Sequence, residues 1–293
     1  MAVTLGPNQY GKAEVRLVTV RREGAVHHLK DLTVSTALRG ELSATHLTGD
    51  NAGVLATDTQ KNTVYAFAKE APVGEIEDFG LRLGRHFVAT QPNINGARIL
   101  IDEHGWNRIA VDGKPHDHAF SRAGDERRTT AVTVQNDRAW IVSGIDGLVL
   151  LKSTGSEFHG YPRDRYTTLA ETNDRILATA VTARWRYTGD GIDWGKSHRE
   201  IRDVLLETFA TKHSLSLQQT LYAMGEAVLL ARPEVCEVRL SLPNKHHFLV
   251  DLSPFGLTNE NEVFYAADRP YGLIEGTILR DDAEDPGPAW DLR

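Results

Sequence analysis

The sequence predicts an α+β fold in which helices pack on antiparallel sheet. Three observations predict it. Segments with a two-residue apolar period occur in neighbouring pairs, and so do segments with a three-to-four-residue period. The order strand, strand, helix, helix, strand, strand is then met twice along 293 residues. The halves share no evident identity, so the repeat rests on element order. Boundaries are expected at residues 8–140 for the first unit and 141–282 for the second. A tail rich in Asp, Glu and Pro follows at 283–293.

In the first half, residues 1–11 read as a leader ending at Tyr10-Gly11. Residues 13–20 alternate around Val15 and Leu17, which suits a half-buried strand, and 27–38 alternate around Leu32, Val34 and Thr36. Thr57 or Asp58 is read as the cap of a helix carrying Val64, Phe67 and Ala68. A break at Ala71-Pro72-Val73-Gly74 precedes a second helix over 76–89, where Ile76, Phe79, Leu83 and Phe87 form one apolar stripe. Residues 97–101 and 106–111 read as strands about a turn at Glu103-His104-Gly105. Residues 127–134 and 139–142 read as strands about Asn136-Asp137.

In the second half, Gly144-Ile145-Asp146-Gly147 reads as a turn before a strand at 148–152, and a polar loop follows at 153–165. Residues 168–179 suit either a short helix or a turn leading into a strand. Residues 180–187 alternate as a strand. Helices are expected over 195–213 and 216–230, ended by Pro233. Strands follow at 235–242, 246–252 and 272–279.

Composition excludes several classes. With 41% apolar and 25% charged residues, the chain is globular. A net charge of -7 does not favour nucleic acid or an anionic membrane as a partner. No stretch approaches the run of about 20 apolar residues that spans a bilayer. The N-terminus lacks a secretory pattern, and the C-terminus is not a Ser-Lys-Leu address, so a cytoplasmic location is expected. The single cysteine, Cys236, permits no internal disulfide and reads as a structural thiol.

Few residues announce chemistry by type alone. There is no dinucleotide fingerprint, phosphate loop, zinc-protease helix or serine elbow. His116-Asp117-His118 has a metal-compatible spacing without an evident third ligand, and a solvated loop is expected there. Taken singly, Lys12 reads as solvated, Arg175 as ion-paired at the surface beside Asp174, and Gln218 as a helix's solvent face. Pro243-Asn244-Lys245-His246-His247 is polar between two apolar strands. It suits either a hairpin turn or a functional segment, since Asn244 donates and accepts and His246 can relay a proton.

Several stretches, in order, resemble the urate oxidase (uricase) family. They are Tyr10-Gly11-Lys12, Thr57 to Thr63, Leu151 to Phe158, Arg163 to Leu169, Asp174 to Thr179, Gln218 to Tyr222, and Ser241 to Phe248. The match spans residues 8 to 280 or so. It implies the tunnelling fold (T-fold), two ββααββ units per chain, with antiparallel sheets forming a β-barrel in a homotetramer whose active sites lie between subunits. It also implies urate and dioxygen as substrates, no cofactor and no metal.

The same resemblance implies roles. Arg175 resembles the residue that clamps the urate anion, Gln218 its partner on the opposite edge, and Phe158 the ring that stacks on the purine. Leu217 stands where the family often has valine, at a largely backbone contact. Thr57 and Asp58 are implied from the neighbouring subunit, through hydroxyl and backbone N–H. Lys12, Thr57 and His246 resemble the proton relay, in which a lysine base is favoured by partial burial. Asn244 resembles the group that holds dioxygen. His247 replaces a frequent aromatic residue, and the acidic tail matches no common family ending. A fold relative acting on pterins would carry a zinc-binding histidine cluster, which is not found here.

Overall fold

A computed structural model describes residues 2–291, with Asp268 described in its backbone only. The chain forms two compact units. The first holds residues up to Gly144 together with Arg186–Lys196 and the segment from Glu284 onward. The second holds Ile145–Trp185 and Ser197–Ala283.

The first unit contains β1 (Val15–Glu23), β2 (Val26–Gly40), α1 (Ser43–Thr48), α2 (Thr57–Glu70), α3 (Ile76–Thr90), β3 (Ile94–Val111), β4 (Lys114–Gln135) and the start of β5 (Arg138–Lys152). Strands β1 to β4 lie antiparallel in chain order, with Val15 opposite Val34, Val34 opposite Ile101, and Ile99 opposite Val132. Alternation sends Leu32, Val34, Leu38, Ile99 and Ile101 to one face, where they pack with Phe79, Leu83 and Phe87 of α3. Full burial of each such side chain contributes about 1.5–3 kcal/mol. Helix and sheet approach closely because α3 carries glycine at the contact: a Cβ on Gly80 would lie 2.8 Å from Val132 Cγ2. One charged group is buried under α3. Glu77 accepts from Arg128 Nη2 at 2.6 Å and from Ser143 Oγ at 2.5 Å, while Arg128 Nη1 reaches Glu75 at 2.5 Å.

The second unit contains the rest of β5, most of β6 (Leu177–Tyr187) and α4 (Trp194–Thr211), α5 (Leu217–Ala231), β7 (Val235–Leu249) and β8 (Phe264–Leu279). Strands β7 and β8 are antiparallel, with Leu242 opposite Ile274. The core joins Val181, Ala183 and Trp185 of β6 with Ile201, Leu205, Leu221, Met224 and Val228 of the helices. Val238, Leu240 and Leu242 of β7 complete it, and Cys236 is buried, 3% exposed, on the same strand. Among the described residues no helix is long and apolar enough to cross a membrane.

The strands run longer than expected, for identifiable reasons. Glu103-His104-Gly105 is not a turn: β3 continues through it, and its ladder with β4 slips between His104 and Trp106. The chain reverses at Asp112-Gly113, whose φ values of 51° and 74° suit a two-residue hairpin, so His116-Asp117-His118 lies in β4 rather than in a loop. Gly144-Ile145-Asp146-Gly147 is likewise inside β5, with Gly147 at φ 76°. Residues 168–176 follow the turn alternative and lead into β6. The tail carries a 3-10 turn at Gly287–Trp290, and Arg98 Nη1 donates to the Pro288 and Ala289 carbonyls at 3.2 Å.

Candidate active site

In the first unit the candidate groups sit where the segment before β1 meets the start of α2. Gly11 lies flat on β2, since a Cβ there would be 1.8 Å from the Thr36 carbonyl oxygen. Lys12 follows, half-buried, its backbone tied to Thr36: Thr36 N donates to Lys12 O at 2.9 Å. Helix α2 opens at Thr57, not after it. Ala56 is the capping position and supplies no side-chain acceptor, which corrects the reading of Thr57 or Asp58 as cap. The N–H groups of Thr57 and Asp58 therefore lie in the first turn, where the helix itself offers no acceptor. Such a helix end attracts anions. The Asp58 side chain turns instead to Lys61 at 2.6 Å and Asn62 at 3.1 Å. The Lys61 contact holds the Asp58 carboxyl below its usual range, and the charge of Lys12 adds to the effect.

In the second unit Arg175 is half-buried and makes no ion pair among the described residues. Its Nε is buried without a hydrogen-bond partner, and its guanidinium carbon lies 5.2 Å from the centre of the Phe158 ring. Desolvation lowers its pKa. Asp174 does not pair with it. That carboxylate accepts from Thr154 Oγ1 at 2.9 Å and from Gly155 N at 3.0 Å, while Arg175 N donates to Ser156 O at 2.8 Å. Phe158 is bridged to Thr172 through paired backbone bonds of 2.8 and 3.1 Å. The loop that carries the aromatic ring and the loop that carries the cation are thus stitched into one piece.

The same piece reaches α5, because Glu157 N donates to Ser214 O at 2.8 Å. Ser216 caps the helix by accepting from Gln219 N at 3.1 Å. Leu217, buried, and Gln218, exposed, then open the first turn. Asn244 and His246 stand on β7. No turn interrupts that strand at Pro243-Asn244, which corrects the hairpin alternative and the expectation of two separate strands. The register with β8 shifts between Asn244 and His246. Burial first, then the charges of Arg175 and His247, depress the His246 pKa.

Comparison with known proteins gives the setting for this geometry. The Uricase family model matches residues 8–133 and 141–275. The uricase of Arthrobacter globiformis is 56% identical over 288 residues, covering 98% of this chain and 94% of its own. That of Dictyostelium discoideum is 41% identical over 280 residues, covering 94% and 98%. The crystal structure of the Arthrobacter globiformis uricase superposes with a TM-score of 0.95 at 55% identity, covering 100% of both chains.

The chain belongs to the uricase family.

As a uricase-family enzyme it has the T-fold and oxidises urate, with dioxygen and water, to 5-hydroxyisourate and hydrogen peroxide without a cofactor. No group of three His, Cys, Asp or Glu among the described residues can hold a metal. The structure brings Phe158 and Arg175 into contact, and Arg175 within electrostatic reach of His246. In the other unit it brings Lys12 within reach of Asp58. The groups that hold these residues carry no local sequence signal. Asp174 adjoins Arg175 in the chain, yet its partners lie 19 and 20 residues away. Glu157, which accepts from His159 at 2.7 Å and His213 at 2.6 Å, carries no signal in the sequence at all.

Proposed function

We propose that urate is held by Arg175, Gln218, Phe158 and the backbone of Leu217, with Thr57 and Asp58 contributed by a neighbouring subunit. The observation that carries this reading is Arg175: a half-buried guanidinium with no counter-ion among the described residues and an idle Nε, beside an aromatic face. A planar anion supplies the missing acceptor, and a guanidinium fork matches its carbonyl and deprotonated nitrogen. The exposed Gln218 offers one donor and one acceptor to the opposite edge. The uncapped start of α2 at Thr57, and the first-turn N–H groups of α5 at Leu217 and Gln218 that the Ser216 cap does not engage, support backbone contacts to an anion.

Lys12, Thr57 and His246 act as the proton relay. The urate anion supplies the electrons to dioxygen, so the side chains need only move protons and orient the ring. Asn244 holds dioxygen and then the attacking water. A His246 ring kept neutral by burial and by Arg175 is fit to accept a proton from that water. The water oxygen becomes the 5-hydroxyl, and both dioxygen atoms leave as hydrogen peroxide.

The working assembly is a homotetramer with active sites between subunits. Two outer strands support it. In the first unit β1 pairs only with β2, and in the second β8 pairs only with β7, among the described residues. Val18, Tyr265, Tyr271 and Leu273 stand exposed on these strands. Unpaired edges of this kind close by pairing with another copy. The repeat boundary is placed between 8–140 and 141–282, and the location in the cytoplasm.

The test is urate loss in the near ultraviolet with peroxide detection, on chelator-dialysed protein in air, alongside its mass in solution. Lys12→Met should mostly depress turnover. Unchanged turnover in that variant would remove Lys12 from the relay.

A further inference from the structure

We propose that Thr36 and Gln60 are positioning residues that hold Lys12 and the start of α2 in working register. This rests on the relay assigned above to Lys12 and Thr57. Both side chains are polar and nearly inaccessible, Thr36 at 4% and Gln60 at 0% exposure. The Lys12 backbone N–H donates to Thr36 Oγ1 at 3.1 Å, and Thr36 Oγ1 lies 2.6 Å from Gln60 Oε1. The Leu55 carbonyl, 3.3 Å from Gln60 Nε2, can only accept, so Nε2 faces it and Gln60 Oε1 faces Thr36, whose hydroxyl donates to it at 2.6 Å in preference to the Lys12 carbonyl at 3.5 Å.

The chain of bonds therefore runs from the lysine backbone, through two buried side chains, to the residue two places before Thr57. It takes the place of the missing side-chain cap at Ala56, because Gln60 fastens the entry to α2 from within the helix. Gly11 completes the arrangement: a Cβ there would collide with the Thr36 carbonyl, so only glycine lets the Lys12 segment lie this close to β2. An isosteric Thr36→Val change removes the hydroxyl, leaves the Gln60 oxygen buried without a donor, and takes away the partner of the Lys12 N–H, so that Lys12 stays tied to β2 through the Thr36 N–H alone. Displacing a catalytic group by about 1 Å can cost on the order of a hundredfold in rate.

The experiment measures kcat and KM for urate, the pH profile of kcat, and Tm. The variants are Thr36→Val, Thr36→Ser, Gln60→Met, Lys12→Met and the Thr36→Val, Lys12→Met double variant. The expected result is a drop in kcat of about tenfold or more for Thr36→Val and Gln60→Met, with a displaced pH profile and KM within about twofold. Thr36→Ser should restore kcat to within about twofold, and Thr36→Val should cost nothing further once Lys12 is gone. If Thr36→Val fails to fold, Gln60→Met carries the same comparison. The inference is overturned if folded Thr36→Val or Gln60→Met keeps the parent kcat and pH profile while Lys12→Met is impaired. It is also overturned if Thr36→Val adds its full loss on the Lys12→Met background. Parent-like turnover in Lys12→Met would instead remove the relay on which it rests.

Discussion

The guanidinium carbon of Arg175 stands 5.2 Å from the centre of the Phe158 ring, and no carboxylate among the described residues competes for its charge. Arg175→Ala should therefore act mainly on substrate capture. A charge-assisted pair contributes about 1.5–3 kcal/mol, so KM for urate should rise by roughly ten- to a hundredfold, with a smaller change in kcat. Steady-state kinetics across a wide urate range check this.

The same arginine acts on His246. Burial and the Arg175 charge keep the folded imidazole below the ordinary value of 6.5. The sign follows from which state takes the proton first. Above pH 6.5 both folded and unfolded chains carry a neutral ring, and stability is unaffected. As pH falls below that value the unfolded chain binds the proton first, so stability is lost until the folded pKa is reached. Removing the positive charge with Arg175→Ala should move the His246 titration upward, read from its ring protons by NMR. An unmoved midpoint would separate the two groups.

Arg128 holds Glu77 in the interior. Arg128→Met would leave the buried Glu77 carboxylate without its cation, with Ser143 Oγ still donating to it. Loss of one partner from a buried pair typically costs about 3–5 kcal/mol. A fall in Tm is expected, and the Arg128→Met, Glu77→Gln double variant should recover part of it. Thermal unfolding by circular dichroism measures both.

At Gly80 the helix has no room for a methyl group, with Val132 Cγ2 2.8 Å from the added carbon. Gly80→Ala gains helix propensity but should lose about 1–3 kcal/mol to overpacking. Val132→Ala placed beside it should relieve the clash. Equal Tm for Gly80→Ala and the parent would show that β4 yields more easily than the packing implies.

How much could be read beforehand depended on where the physics is local. The stripe Ile76, Phe79, Leu83, Phe87 marked α3 to within one residue, because amphipathic periodicity is written in consecutive positions. Polar stretches misled. Glu103-Gly105 and Gly144-Gly147 have turn-like composition, yet both lie within continuous strands, Gly147 through a positive φ, and strand pairing is invisible from one segment. Pro243 suggested a hairpin, while β7 accepts it opposite Leu273. At the site, family resemblance named the residues but not their supports. Nothing local links Thr36 to Gln60 or Asp174 to Thr154, since those bonds span 24 and 20 residues.

Cys236 is the chain's only thiol, and it lies inside the second unit at 3% exposure. A cysteine introduced on the surface would therefore take up a maleimide fluorophore or spin label almost alone, with no need to strip a native thiol first. A probe at exposed Tyr265 or Val18 on the outer strands would then report assembly directly, as a distance between copies.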